Sequence, residues 1–136
     1  MKVVIDTNVF VSSFLNPHGA PRRVIDLWKA GRVTLCLSAP IIAEYAEVLS
    51  RFGLAEGPEL KELLDLFATR MHVVFAPKPP RLTLVPEDPA DEKFIECAVA
   101  ASAEFVISGD KHLLTIGTHD SITILTPASL LDRMST

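Results

Sequence analysis

The chain has no run of roughly 18 apolar residues, the length a bilayer demands of a spanning helix, so no membrane segment is expected. It has only two cysteines, Cys36 and Cys97. They form no CxxC pair and lie inside apolar stretches, which predicts buried free thiols in a reducing cytoplasm rather than a disulfide scaffold. The amino terminus carries Lys2 as its early basic residue, and Asp6 interrupts the apolar stretch behind it, a poor secretory signal. Basic charge is also short. With 13 Lys and Arg against 17 Asp and Glu the formal net charge is -4, so no global field draws in nucleic acid. A nucleic-acid partner would need a local basic patch or bound cations. No GxxxxGK[ST] loop occurs, which excludes a P-loop enzyme. His18, His72, His112 and His119 are scattered, with no His/Cys cluster to suggest zinc.

What is present reads as one globular domain over 1–136: 49% of residues are apolar and 22% charged, ordinary proportions for a folded chain. Strand-like runs recur at 3–5, 33–37, 72–75, 104–108 and 121–125. Helical patterns fill the gaps at 7–14, 21–30, 39–52, 58–71, 90–102, 111–115 and 127–133. This alternation predicts an α/β fold, three-layer α/β/α, with a mostly parallel five-stranded sheet. Two stretches read as loops, "NPHGAP" at 16–21 and the proline-rich "APKPPRLTLVPEDP" at 76–89, the latter long for a compact domain.

Four acids stand out against this frame. Asp6 follows the β-branched run Val3-Val4-Ile5 and Asp110 follows "FVIS", so both sit at the carboxyl ends of strands, where open α/β sheets bind ligands. In the 39–52 helix, with Ser38 as N-cap, Ile41, Tyr45, Val48 and Phe52 form a core stripe with Ile42 and Leu49 beside it. Glu47 lies opposite and Glu44 on the border. In the 90–102 helix Phe94, Ile95, Ala98, Val99 and Ser102 define an inward face with Asp91 near its middle, while Glu92, Lys93 and Glu96 point away. Each acid also has a plain structural reading: Glu44 as a boundary residue in water, Asp91 in a capping box with Asp88 and Pro89, Asp110 as the N-cap of a short helix. If the first and fourth strands are neighbours, however, Asp6, Glu44, Asp91 and Asp110 converge on one mouth, and carboxylates so close need a counter-charge. All-oxygen ligation suits Mg²⁺ or Mn²⁺.

The segments "VIDTNVFVSSFL", "LSAPIIAEYAEVLSRF" and "EDPADEKFIECAVAASAEFVISGDKHLL" resemble PIN domains, especially the toxins of type II toxin–antitoxin systems, in the right order through almost the whole chain. The resemblance implies a sheet order 3-2-1-4-5 and a metal site of Asp6, Glu44, Asp91 and Asp110. Asn8 falls where the family commonly has a supporting asparagine, and Ser108 where many relatives have threonine. It further implies a Mg²⁺- or Mn²⁺-dependent ribonuclease that hydrolyses RNA phosphodiester bonds, a small antitoxin whose tail occupies the active-site groove, and a homodimer or higher homo-oligomer. Lys111 and His112 beside Asp110 are candidates for substrate contact, as are Arg22, Arg23 and Arg32 for phosphates and the 76–89 loop for a rim that substrate or antitoxin touches.

Two rivals remain at this level. Haloacid-dehalogenase-like phosphatases also begin with a strand followed by Asp-x-Asp, but Asn8 stands in place of the second acid. A PIN-like scaffold that binds RNA or protein without cleaving is the stronger alternative, against which stand four acids all present in the sequence.

Overall fold

The computed structural model describes residues 1–54, 56–76 and 92–135. Asp91, Asp88, Pro89, the start of the 90–102 helix and all of the proline-rich loop after Ala76 therefore lie outside the described residues.

The strands are β1 (Lys2–Ile5), β2 (Thr34–Leu37), β3 (Val73–Phe75), β4 (Phe105–Ile107), β5 (Thr118–His119) and β6 (Ile122–Leu125), in the order β3-β2-β1-β4-β6-β5. All pairs are parallel except β5 with β6. The five runs read from the sequence are thus all strands in the expected order, and the sheet has six strands rather than five. The addition is a two-residue strand closed by a tight turn in which Asp120 takes φ 52°. Two residues carry no periodicity, and an Asp-Ser corner is a weaker hairpin signal than Asn-Gly.

Between the strands run α1 (Thr7–Leu15), α2 (Ala20–Lys29), α3 (Ala39–Arg51), α4 (Pro58–Ala68), α5 (Glu92–Ala101), α6 (Lys111–Ile116) and α7 (Pro127–Met134). The central strands are apolar along their length because helices cover the sheet: Val3, Val4, Ile5, Leu35, Cys36, Leu37, Val106 and Ile107 are fully buried. Helix α5 packs across β1, β2 and β4. Phe10 of α1 stacks on Tyr45 of α3, ring centroids 4.1 Å apart, and the Tyr45 hydroxyl donates to the carbonyl of Ile5. That bond joins the residue before Asp6 to the residue after Glu44, so core packing ties the end of β1 to α3.

Three expectations need correction. Phe52 is 56% exposed, because α3 ends at Arg51 and the buried stripe is Ile41, Tyr45 and Leu49, spaced one turn apart. Ser38, by contrast, is the N-cap of α3 as expected, although its side chain makes no cap bond. On α5, Glu92 is buried rather than outward, and Ser102 is exposed, having left the helix with φ 55°. Among the described residues no helix is long and apolar enough to cross a membrane. Cys36 and Cys97 are buried and free, as expected, and burial pushes their thiols up to about 11 and about 12.

Candidate active site

From β1 the chain runs to β2 and β3 on one side, then returns to place β4 on the other side of β1. The carboxyl ends of β1 and β4 therefore flank a topological switch point, where crevices open in such sheets. Asp6 leaves the first of these ends and Ser108 to Asp110 the second.

Asp6 is only 3% exposed. One carboxyl oxygen accepts the backbone N–H of Asn8 at 3.2 Å, capping α1, and the other accepts the Ser108 hydroxyl at 2.6 Å. Ser108 is itself fully buried, and its oxygen accepts the Asp110 N–H at 2.9 Å. Asp110 in turn caps α6, taking the N–H groups of His112 at 2.7 Å and Leu113 at 3.3 Å. The N-cap reading of Asp110 is thus correct, and it fixes one oxygen of the carboxylate at the mouth. Desolvation holds the Asp6 carboxyl above the ordinary range; the Ser108 and Asn8 bonds oppose that shift, and the charges of Asp110 and Glu44 add to it. Asp110 and Glu44, two of the other acids named from the sequence, are therefore near enough to act on Asp6.

Glu44 lies half-buried on the border of α3, as its place on the helix wheel implied. The buried Thr7 hydroxyl donates to one of its oxygens, and the Lys93 ammonium meets the other at 2.7 Å. Lys93 was expected to point away from the core. Its position does lie beyond the buried stripe, but a four-carbon stem reaches back and carries the charge over the edge. Thr7 and Lys93 are the residues that sequence reasoning missed. The hydroxyl of "DTN" was a visible signal for the first; nothing local marks the second.

Asn8 is exposed, and it is its backbone amide that holds Asp6. Asn8 lines a groove of about 590 Å³ that Asp110 and Gly109 also line. Arg22 is turned elsewhere: it bonds the Ser13 carbonyl at 3.0 Å and Glu59 at 3.2 Å. Of the histidines, His112 adjoins the site through its backbone N–H, which Asp110 accepts.

Among the described residues, no group of three or more His, Cys, Asp or Glu side chains is gathered closely enough to hold a metal ion. The donors that do stand at the mouth are carboxylate oxygens, the kind a hard divalent cation takes, and the acid the sequence adds, Asp91, lies outside the described residues. The donor chemistry fits Mg²⁺ or Mn²⁺ in kind.

Residues 2–112 match the PIN domain, a span that includes Asp6, Glu44, Asp91, Ser108 and Asp110. The chain belongs to the PIN domain family. It is also 32% identical over 120 residues to the uncharacterized protein MJ1680 of Methanocaldococcus jannaschii, a similarity covering 85% of this chain and 75% of that protein. A PIN domain has a nuclease-type fold; such domains are generally hydrolases acting on nucleic acid and typically use divalent metals.

Proposed function

We propose that this PIN domain is a metal-dependent endoribonuclease, acting as a single unit over 1–136 in the cytoplasm. The observation that carries the reading is the buried chain of bonds from Asn8 through Asp6 and Ser108 to Asp110. It aims two carboxylates at one mouth and holds a buried acid beside two others, an arrangement that costs stability and makes physical sense beside a cation. In this reading Asp6, Asp110 and Asp91 hold Mg²⁺ or Mn²⁺ with Glu44 completing the set. Ser108 and the Asn8 amide orient Asp6, and Thr7 orients Glu44. Lys93 neutralises part of the acidic field, so that a phosphodiester can approach. The bound ion supplies a nucleophile at neutral pH and offsets charge on the scissile phosphate.

The test is cleavage of a structured RNA pool with Mg²⁺, with Mn²⁺ and with EDTA, run beside Asp6→Asn. Metal-dependent cutting that falls at least about a hundredfold in the variant, roughly 2.7 kcal/mol of barrier, supports the nuclease. A folded protein that cuts nothing with either metal sinks it.

The toxin role rests on the resemblance of the quoted segments, as do the homo-oligomer and the small antitoxin seated in the groove. Growth arrest on expression, absent with Asp6→Asn, is the result this role requires. The ion pair of Lys93 with Glu44 favours a second reading, a scaffold that binds RNA without cleaving it, since a carboxylate already held by an ammonium has less need of a metal. Metal-independent RNA binding without cutting would select it.

A further inference from the structure

Helices α2 and α7 pack side by side, and two grooves open along their seam. The first, about 590 Å³, begins at Asn8 and Asp110 and passes between Ala20 and Pro21 of α2 and Pro127 and Ala128 of α7. The second, about 390 Å³, takes up the same two helices further along, between Leu27 and Ala30 on one side and Leu131 and Met134 on the other. On α2, Ala20, Arg23, Leu27 and Ala30 fall on one face at helical spacing, as do Pro127, Leu131 and Met134 on α7. The two grooves share no lining residue, and they follow one another along the seam as its near and far parts.

Its two parts differ in chemistry. Beside the candidate active site the walls are small and uncharged apart from Asp110, with Ser12 and Thr126 offering hydroxyls. A phosphate gains nothing there, whereas an unstacked base and its ribose find apolar contact and hydrogen-bonding groups. The far part is flanked by Arg23 and Arg32. Both are exposed, unlike Arg22, which Glu59 and Asp26 engage; Arg32 reaches the Met134 carbonyl at 3.4 Å and so lies across the seam. Asp26 also borders this part, its carboxylate 3.8 Å from Arg22. Helix α7 lies beyond the residues that match the PIN domain, so both grooves are built in part by a segment outside that match.

The geometry points to this seam as the path of a single-stranded RNA substrate: the nucleoside next to the cut sits in the apolar part beside Asp110, and the backbone phosphates further along meet Arg23 and Arg32. The inference rests on the ribonuclease reading for its substrate. A ten-residue helix such as α2 is about 15 Å long, room for about four nucleotides at duplex spacing and fewer in a drawn-out strand.

The experiment measures affinity of a short, end-labelled single-stranded RNA by fluorescence anisotropy across a salt series. It is run with Mg²⁺ in an Asp6→Asn background, so the strand stays intact. Arg23→Glu and Arg32→Glu are each expected to weaken binding about tenfold and to lower the salt slope by about 0.7, the value for one lost phosphate contact on a single strand. Arg23→Lys and Arg32→Lys should restore most of both. Arg51→Glu, the same charge change on α3, should do neither. Ala128→Trp, which fills the apolar part, should weaken binding with the salt slope unchanged. Thermal melts confirm that each variant folds. If the arginine reversals behave as Arg51→Glu does, the path is wrong, and a protein segment becomes the occupant to seek. Because affinity is read without cutting, a wild-type protein that never cleaves would overturn the nuclease and leave the binding path to stand or fall on its own.

Discussion

The acids on the outer helices and the acids at the mouth of the sheet are the same residue types under opposite conditions. Outside, Glu59 meets Arg22 at 3.2 Å, Glu62 meets Lys29 at 3.0 Å and Glu47 meets Arg51 at 3.6 Å, all with the carboxylate well exposed. At the mouth, Asp6 is buried, its neighbours include two more carboxylates, and its partners are a serine hydroxyl and a backbone amide. Exposed pairs are screened and contribute little. Asp6, its carboxyl raised mainly by burial, costs the folded chain when ionised and is held in place despite it, which is the pattern of a site kept for chemistry rather than for stability.

If that contrast is right, the greatest effect short of deleting an acid comes from Ser108→Ala. It removes the donor to one oxygen of Asp6 and the acceptor for the Asp110 amide at once, leaving Asp6 held by the Asn8 amide alone and loosening the turn that carries Asp110. Metal-dependent cleavage and Mn²⁺ affinity should both fall about 10–100-fold, the usual cost of losing a group that orients metal ligands. Ser108→Thr keeps the hydroxyl and should recover most of the loss. An alanine variant with the Mn²⁺ affinity of the wild type would erase the distinction between the two regions.

Lys93→Met sharpens the contrast from the other side, since Lys93 brings an ammonium to the inner acids. Its removal leaves the mouth more negative. Mn²⁺ should then bind several-fold tighter, while KM for RNA rises because the phosphates meet stronger repulsion. A merely structural lysine would lower both affinities together. Isothermal titration with Mn²⁺ and steady-state cleavage separate the two outcomes.

Asp6→Asn tests the stability side in EDTA. The Asp6 carboxyl is raised in the folded protein, mainly by burial. Its contribution to stability is therefore fully present below the unfolded value near 3.8 and is lost as pH rises through the higher folded one. Asparagine does not titrate, so the melting temperature of the variant should gain on that of the wild type as pH rises from about 4 toward neutrality, by a few degrees. A gap that stays constant with pH would mean that Asp6 is ionised at no cost, like the acids outside.

The sheet and the placement of Asp6, Glu44 and Asp110 were legible in the sequence for a local reason. Runs such as Val3-Val4-Ile5 are long enough to declare a buried strand, and an acid directly after one has its position set by the chain itself. Tertiary contacts were not legible. Thr7 and Lys93 meet Glu44 from 37 and 49 residues away, and only the packing of α1, α3 and α5 decides that they do. Glu92 defeated the helix wheel: it is buried at the first turn of α5 although its position falls off the face that Phe94, Ile95 and Ala98 define. The hairpin strand β5 was missed because two residues have no pattern to show.

The smallest effect is expected at Glu59 and Glu62, and it matters because it is the control that gives the others meaning. Each carboxylate sits on α4, about half exposed, and reaches a cation on α2, Arg22 or Lys29. Ion pairs bridging two helices look structural, but water solvates the charges almost as well, and fixing two long side chains consumes the gain. Glu59→Gln and Glu62→Gln should each change stability by no more than about 0.5 kcal/mol in urea unfolding, less still in high salt, with RNA cleavage unchanged. A cost of several kcal/mol at either position would mean that exposed pairs hold α2 against α4. The difference between outer and inner acids would then be one of degree, and the case that the inner ones are kept for function would lose its reference.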